Sequence, residues 1–181
     1  MNMTLPQLRP ERGGNPPADR PTQDEALDPN EYQNRVWVTR ERPGVDRFSS
    51  AWLIRRFIDR GARFVFASTP ERHPDAVAFD MYQTVGFRHE GEKCTFEVLV
   101  ERFGITDPAV RRIAEIVHDL DLKDDRFGSP HAATVGVLVE GLRASVPEDA
   151  RLLEQGMAMF EALYQSFKHG KATRRGRSKI C

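Results

Sequence analysis

Residues 36–67 constrain this chain most, because two hydrophobic periods alternate there with very short links. Val36, Trp37 and Val38 form a β-type run, Arg42-Pro43-Gly44 breaks it, and Ala51, Trp52, Ile54, Phe57 and Ile58 recur at helical spacing until Gly61. A second β-type run, Arg63-Phe64-Val65-Phe66-Ala67, follows at once, and Asp46 or Ser49 is placed to cap the intervening helix. Strand, helix and strand so closely joined predict a βαβ unit with parallel strands, whose ligand-binding edge lies at the strands' C-terminal ends.

The second half changes period. Phe96, Val98 and Leu99 lie between Cys94 and Phe103, ahead of Gly104, and suit a short helix. Asp107-Pro108 then supplies a cap and a first-turn proline for a helix with the apolar face Val110, Ile113, Ala114, Val117 and Leu120. Two further helices are expected over about Ala133 to Ser145 and about Glu148 to Phe167. The expected fold class is α/β: a small parallel sheet from an N-terminal βαβ unit, followed by a mainly helical C-terminal half.

The flanks lack this order. Residues 1–34 hold several prolines and few large apolar groups, so they bury too little surface to offset the entropy of ordering and read as a disordered segment. Residues 169–181 read as a basic disordered tail, leaving 35–168 as one domain. Lysines plus arginines and aspartates plus glutamates number 27 each, so total charge does not favour a polyanion such as DNA. Cys94 and Cys181 would pair only if the polar tail folded back, which suits a reducing compartment. Without a secretory pattern or a long apolar run, the expected location is the cytoplasm.

Three polar clusters could carry chemistry. The first, Thr39 to Arg47, joins a strand's C-terminal end to a helix N-terminus, where Arg40, Arg42 and Arg47 could hold an oxyanion or pair with Glu41 and Asp46. The second runs from His89 to Glu97. There Cys94 sits at a helix start whose dipole would favour its thiolate, and Glu97 either caps that helix or shares a face with the thiol. The third, His118 to Asp125, crowds Asp119 and Asp121 at a helix C-terminus, where the dipole opposes them unless a cation offsets their charge. His89, Cys94, His118 and Asp121 together would make a mixed nitrogen, sulfur and oxygen ligand set for zinc, iron or manganese. His73, His131 and His169 read as surface histidines.

Four strings carry a further signal: Trp37-Val-Thr-Arg-Glu-Arg-Pro-Gly-Val-Asp-Arg-Phe, Ser50-Ala-Trp-Leu-Ile-Arg-Arg-Phe-Ile-Asp, Cys94-Thr-Phe-Glu and Ile113-Ala-Glu-Ile-Val-His-Asp-Leu-Asp-Leu-Lys-Asp. In this order they resemble the domain of the chromate-resistance protein ChrB. The resemblance implies a place beside chromate-resistance operons. Some family members are similar to chromate-responsive transcriptional regulators, and the domain also occurs beside rhodanese-like modules. The regulators carry an additional N-terminal region, where this chain has only a disordered stretch, which speaks against direct DNA binding.

The leading expectation is a cytoplasmic accessory or sensor domain that binds a chromate- or sulfate-like oxyanion, a transition metal, or both. One alternative is a metal-dependent hydrolase or redox enzyme with Glu97 or Asp119 as general base and Arg40 or Arg47 stabilising developing charge. Another is a DNA- or protein-interaction module using the basic tail. A homodimer is compatible with all three, and a membrane partner with none.

Overall fold

The computed structural model describes residues 26–82 and 86–175, with residues 171–175 described by backbone alone. Strand β1 (Val36–Thr39) leads into helix α1 (Val45–Leu53), which continues as a π-helical turn over Ile54–Ile58 before strand β2 (Arg63–Phe66). β1 and β2 are parallel, with Val36 opposite Arg63 and Thr39 opposite Phe66, as the βαβ reading requires. Gly44 is the N-cap of α1; Asp46 lies inside its first turn, and neither Asp46 nor Ser49 caps that helix.

A short third strand, β3 (Val77–Ala78), pairs in parallel with the other side of β1 and makes the sheet order β2-β1-β3. Two residues are too few to show a period in sequence, so this strand escaped the pattern. It matters for function, because the chain returns across β1 to reach it and so creates a crevice at the C-terminal ends of β1 and β3.

The helical half follows as α2 (Thr95–Arg102), α3 (Pro108–Asp121), α4 (Ala132–Ser145) and α5 (Asp149–Arg175). Asp107 caps α3, accepting from the Ala109 amide at 2.7 Å ahead of Pro108, as its sequence signature predicts. α5 runs past Phe167, where the apolar pattern ends, and the tail residues 176–181 lie outside the described part. No described helix is long and apolar enough to cross a membrane.

Alternation along the strands divides the interior into two parts. Trp37, Phe64, Phe66, Val77 and Phe79 join the main core with the helices, while Val38, Ala67, Ala78 and Met81 form a smaller cluster. α1 crosses α5 closely at Gly156, where an added Cβ would fall 2.3 Å from Phe48 Cγ. A glycine is needed there because the buried Phe48 ring has no room to give.

The N-terminal boundary needs correcting. Pro29–Tyr32, within the stretch expected to be disordered, forms a 3-10 turn, and the Tyr32 ring lies 6.0 Å from Trp37 and 5.1 Å from Phe103. The buried Asp59 carboxylate accepts from the backbone of Asn34 and Arg35 and from Trp37 Nε1, at 2.7, 2.9 and 3.0 Å. One aromatic ring and one buried acceptor thus order a segment whose composition argues against order. Residues 1–25 lie outside the described part.

Candidate functional site

The loop after β1 delivers its arginines in two directions. Arg40 Nε donates to the Asp80 backbone carbonyl at 3.0 Å, and its Nη2 reaches Asp80 Oδ2 at 3.2 Å. Arg47, on the first turn of α1, places Nε 3.0 Å from the same oxygen and donates from Nη1 to the carbonyls of Arg40 and Glu41. Arg42 turns away. Its backbone amide donates to Asp149 Oδ1, and its guanidinium donates to the carbonyls of Arg143, Val146 and Pro147 at the end of α4. A cation there complements unpaired helix carbonyls, so Arg42 joins β1 to α4 and α5 and does not face the crevice.

Asp46 is the residue that sequence reasoning missed. It is 2% exposed, and its carboxylate accepts from the Thr95 and Phe96 amides at 2.9 and 2.8 Å, capping α2 from a different helix. The Oδ2 that accepts from Thr95 also lies 3.2 Å from His89 Nε2. His89 Nε2 lies 3.0 Å from Asp121 Oδ2 and 3.7 Å from Asp80 Oδ1. One imidazole nitrogen therefore looks onto three carboxylates from α1, the end of α3 and the loop after β3.

These residues line one cavity of about 420 Å³, with Arg40, Arg47, Tyr82 and Arg88 on its walls. It opens at the C-terminal ends of β1 and β3, where the topology places a ligand crevice. Arg40 lies over the Tyr82 ring at 4.2 Å from its centroid. Asp80 adopts a φ of 47°, a left-handed conformation rare for a side-chain-bearing residue.

The charges in this cavity are not independent. His89 has its pKa pushed up to about 10, first by its bond to Asp121 and then by Asp46, so it carries a proton at neutral pH. Asp80 is pushed up to about 6, mainly by burial and then by Asp46, although Arg47 and Arg40 pull the other way. Donor atoms of Asp46, His89 and Asp121 lie within 4.8 Å of one another, close enough to ligate one ion. Two carboxylates and an imidazole are a donor set for a hard or borderline divalent metal, so the residues fit such an ion chemically.

The other predicted ligands belong to a second, sealed cluster. His118 is 1% exposed, with Nδ1 2.7 Å from Glu97 Oε2 and Nε2 3.2 Å from Asp124 Oδ2. Each nitrogen faces a carboxylate oxygen, an arrangement that favours the imidazolium form. Burial opposes that charge, but the bonds to Glu97 and Asp124 outweigh it and hold the pKa above the ordinary value. Glu97 also accepts from the Cys94 amide at 3.0 Å, the capping-box role, and this occupies the oxygen that holds His118.

Cys94 is fully buried and free, and burial, with Asp46 and Glu97 nearby, pushes its thiol pKa up. The helix dipole that sequence invoked to favour the thiolate is outweighed by desolvation. Asp119 accepts from the amides of Phe127 and Ser129 at 2.8 and 2.7 Å and ties down the loop after α3. The crowding of acids at that helix end is thus relieved twice, for Asp119 by backbone amides and for Asp121 by His89. The expected set of His89, Cys94, His118 and Asp121 divides between two places; His89 and Asp121 meet, and Asp46 completes the group instead of Cys94 and His118.

A family model described as the C-terminal domain of ChrB matches residues 37–167. The chain belongs to the ChrB family. Protein ChrB of Cupriavidus metallidurans is 38% identical to it over 144 residues, covering 77% of this chain and 43% of that protein. The chain therefore spans less than half the length of that curated relative. No solved structure matches the sequence. The match covers β1 through most of α5, so the crevice and every residue lining it lie inside the ChrB domain.

Proposed function

We propose that this ChrB domain serves chromate resistance as a binding or sensing module, holding a divalent transition metal at Asp46, His89 and Asp121 and a tetrahedral oxyanion beside it. The observation that carries the reading is one crevice in which an imidazole and carboxylates converge within ligating distance while Arg40, Arg47 and Arg88 line the same walls. Carboxylate and imidazole donors suit manganese, iron or zinc, and three protein ligands leave coordination positions open to an anion or water. Guanidinium groups supply the charge-assisted donors that a dianion needs to leave water.

Neither Glu97 nor Asp119 serves as a general base in this reading. Glu97 Oε2 is bound to His118 and the Cys94 amide, Asp119 is bound to two backbone amides, and neither side chain lines the crevice, so neither carboxylate faces a ligand held there.

Calorimetric titration of the intact chain with MnCl2 and ZnCl2, followed by sulfate and chromate, tests the reading. The expected result is saturable metal uptake that weakens in Asp121→Asn, and anion uptake that weakens in Arg40→Gln. A folded chain giving no heat above dilution with any of these ions would sink it.

A further inference from the structure

Asp80 stands between the two halves of the crevice, and its two oxygens face different neighbours. Oδ2 takes both guanidinium groups, Arg47 Nε at 3.0 Å and Arg40 Nη2 at 3.2 Å. Oδ1 lies 3.7 Å from His89 Nε2 and accepts from Thr95 Oγ1 at 3.3 Å, which puts it beside the Asp46, His89 and Asp121 group. This one carboxylate is paired with both of the guanidinium groups that an incoming anion would need. A cation drawing on Oδ1 competes with the arginines for the same charge.

The charge balance points the same way. Three guanidinium groups, of Arg40, Arg47 and Arg88, line the cavity with three carboxylates, of Asp46, Asp80 and Asp121, and these cancel. A divalent cation added to this balanced set brings two positive charges, the amount that a tetrahedral dianion neutralises.

We infer that the crevice takes its cation and its oxyanion as a cooperative pair, with Asp80 as the residue that couples them: the metal draws Asp80 away from Arg40 and Arg47 and frees them for a tetrahedral dianion. This rests on the metal-and-oxyanion reading above and adds a coupling between its two ligands. Linkage makes the effect reciprocal, so the dianion tightens the metal by the same factor that the metal tightens the dianion. A module built this way responds to an oxyanion more strongly when its metal is present.

The test is a four-way titration of the full chain, with sulfate as a dianion that undergoes no redox chemistry and Mn2+ as the cation. Sulfate affinity is expected to rise about tenfold in saturating Mn2+, within the usual range of site-to-site coupling, and Mn2+ affinity to rise equally in saturating sulfate. In Asp80→Asn the arginines are free from the outset, so metal-free variant should bind sulfate about as well as metal-loaded wild type, with most of the coupling gone. Mn2+ binding with a sulfate affinity indifferent to Mn2+ overturns the pairing and leaves the metal site standing. No Mn2+ uptake overturns the metal reading itself, and the pairing with it. The wild-type comparison decides the pairing even if Asp80→Asn fails to fold, and Asp80→Ser then tests the coupling residue in its place.

Discussion

His89 and His118 are the same side chain in nearly the same company, each between carboxylates from different elements, yet they have opposite fates. His118 is 1% exposed and each of its nitrogens is committed, so its charge links α2, α3 and the loop carrying Asp124 and has nowhere else to go. The His89 side chain is 42% exposed, and its Nε2 opens onto a cavity shared with guanidinium groups. Histidine–carboxylate pairings thus give a structural fastening where the ring is buried and, in the proposed reading, a binding site where the ring opens onto a cavity. Burial and access separate the two roles, and residue type does not.

The largest effect should come from the residue that belongs to both roles. Asp46→Ala leaves the Thr95 and Phe96 amides without an acceptor inside the protein, so chemical denaturation should show a loss of about 4 kcal/mol. Metal uptake should disappear with it. A variant of unchanged stability would mean that the α2 cap is satisfied some other way, and the link between fold and site would break.

Next comes the sealed histidine. His118→Ala takes a buried charged partner from Glu97 and Asp124 together, so it should cost about 2 kcal/mol in a denaturant titration. Its Mn2+ affinity should stay within about threefold of wild type, because the sealed cluster contributes no ligand. Loss of the metal at wild-type stability would reverse the assignment of the two histidines.

His89→Ala should do the converse, weakening Mn2+ by at least about tenfold, the loss common even for groups one shell further from a metal. Its effect on metal-free stability is smaller and depends on pH. His89 is raised from an ordinary 6.5 to about 10 in the folded chain, so its contribution is complete below about pH 6.5 and is lost as pH rises through 10. Solvent screening at this half-exposed ring reduces that contribution to about 1 kcal/mol. Denaturation of wild type and variant at pH 6 and above pH 10 should therefore show a gap at the lower pH that closes at the higher one.

The fold was more legible than the site. The periods of Val36 to Ala67 and the Asp107-Pro108 signature are local, so they gave the βαβ unit and α3 directly. β3 was hidden by its two-residue length, and with it the crevice that Asp80 enters. Of the site, His89, Asp121, Arg40 and Arg47 were legible as polar residues at element ends. Asp46 reads from sequence as a partner for arginines or a cap for its own helix, because capping a helix that begins at Thr95 is a long-range contact with no sequence period. Arg42 differs from Arg40 only in the direction set by a φ of 51°, which no spacing records.

Cys94 gives the smallest effect and the sharpest edge to the comparison. It begins α2, is followed at once by Thr95 and Phe96, whose amides hold Asp46, and has the donor atom most attractive to zinc in that neighbourhood. A ligand must be a thiolate, and a thiolate here would be fully buried beside the Asp46 and Glu97 carboxylates, which is why the thiol is held in its neutral form. Cys94→Ala should therefore leave both Mn2+ and Zn2+ affinities unchanged and remove packing and a weak bond from the Glu97 amide, together about 1 kcal/mol for a small buried group. If Zn2+ affinity fell while Mn2+ affinity held, the ion would be reaching past Asp46 to the sulfur. The boundary drawn between an open ligand site and a closed structural one would then have to move inward by one residue.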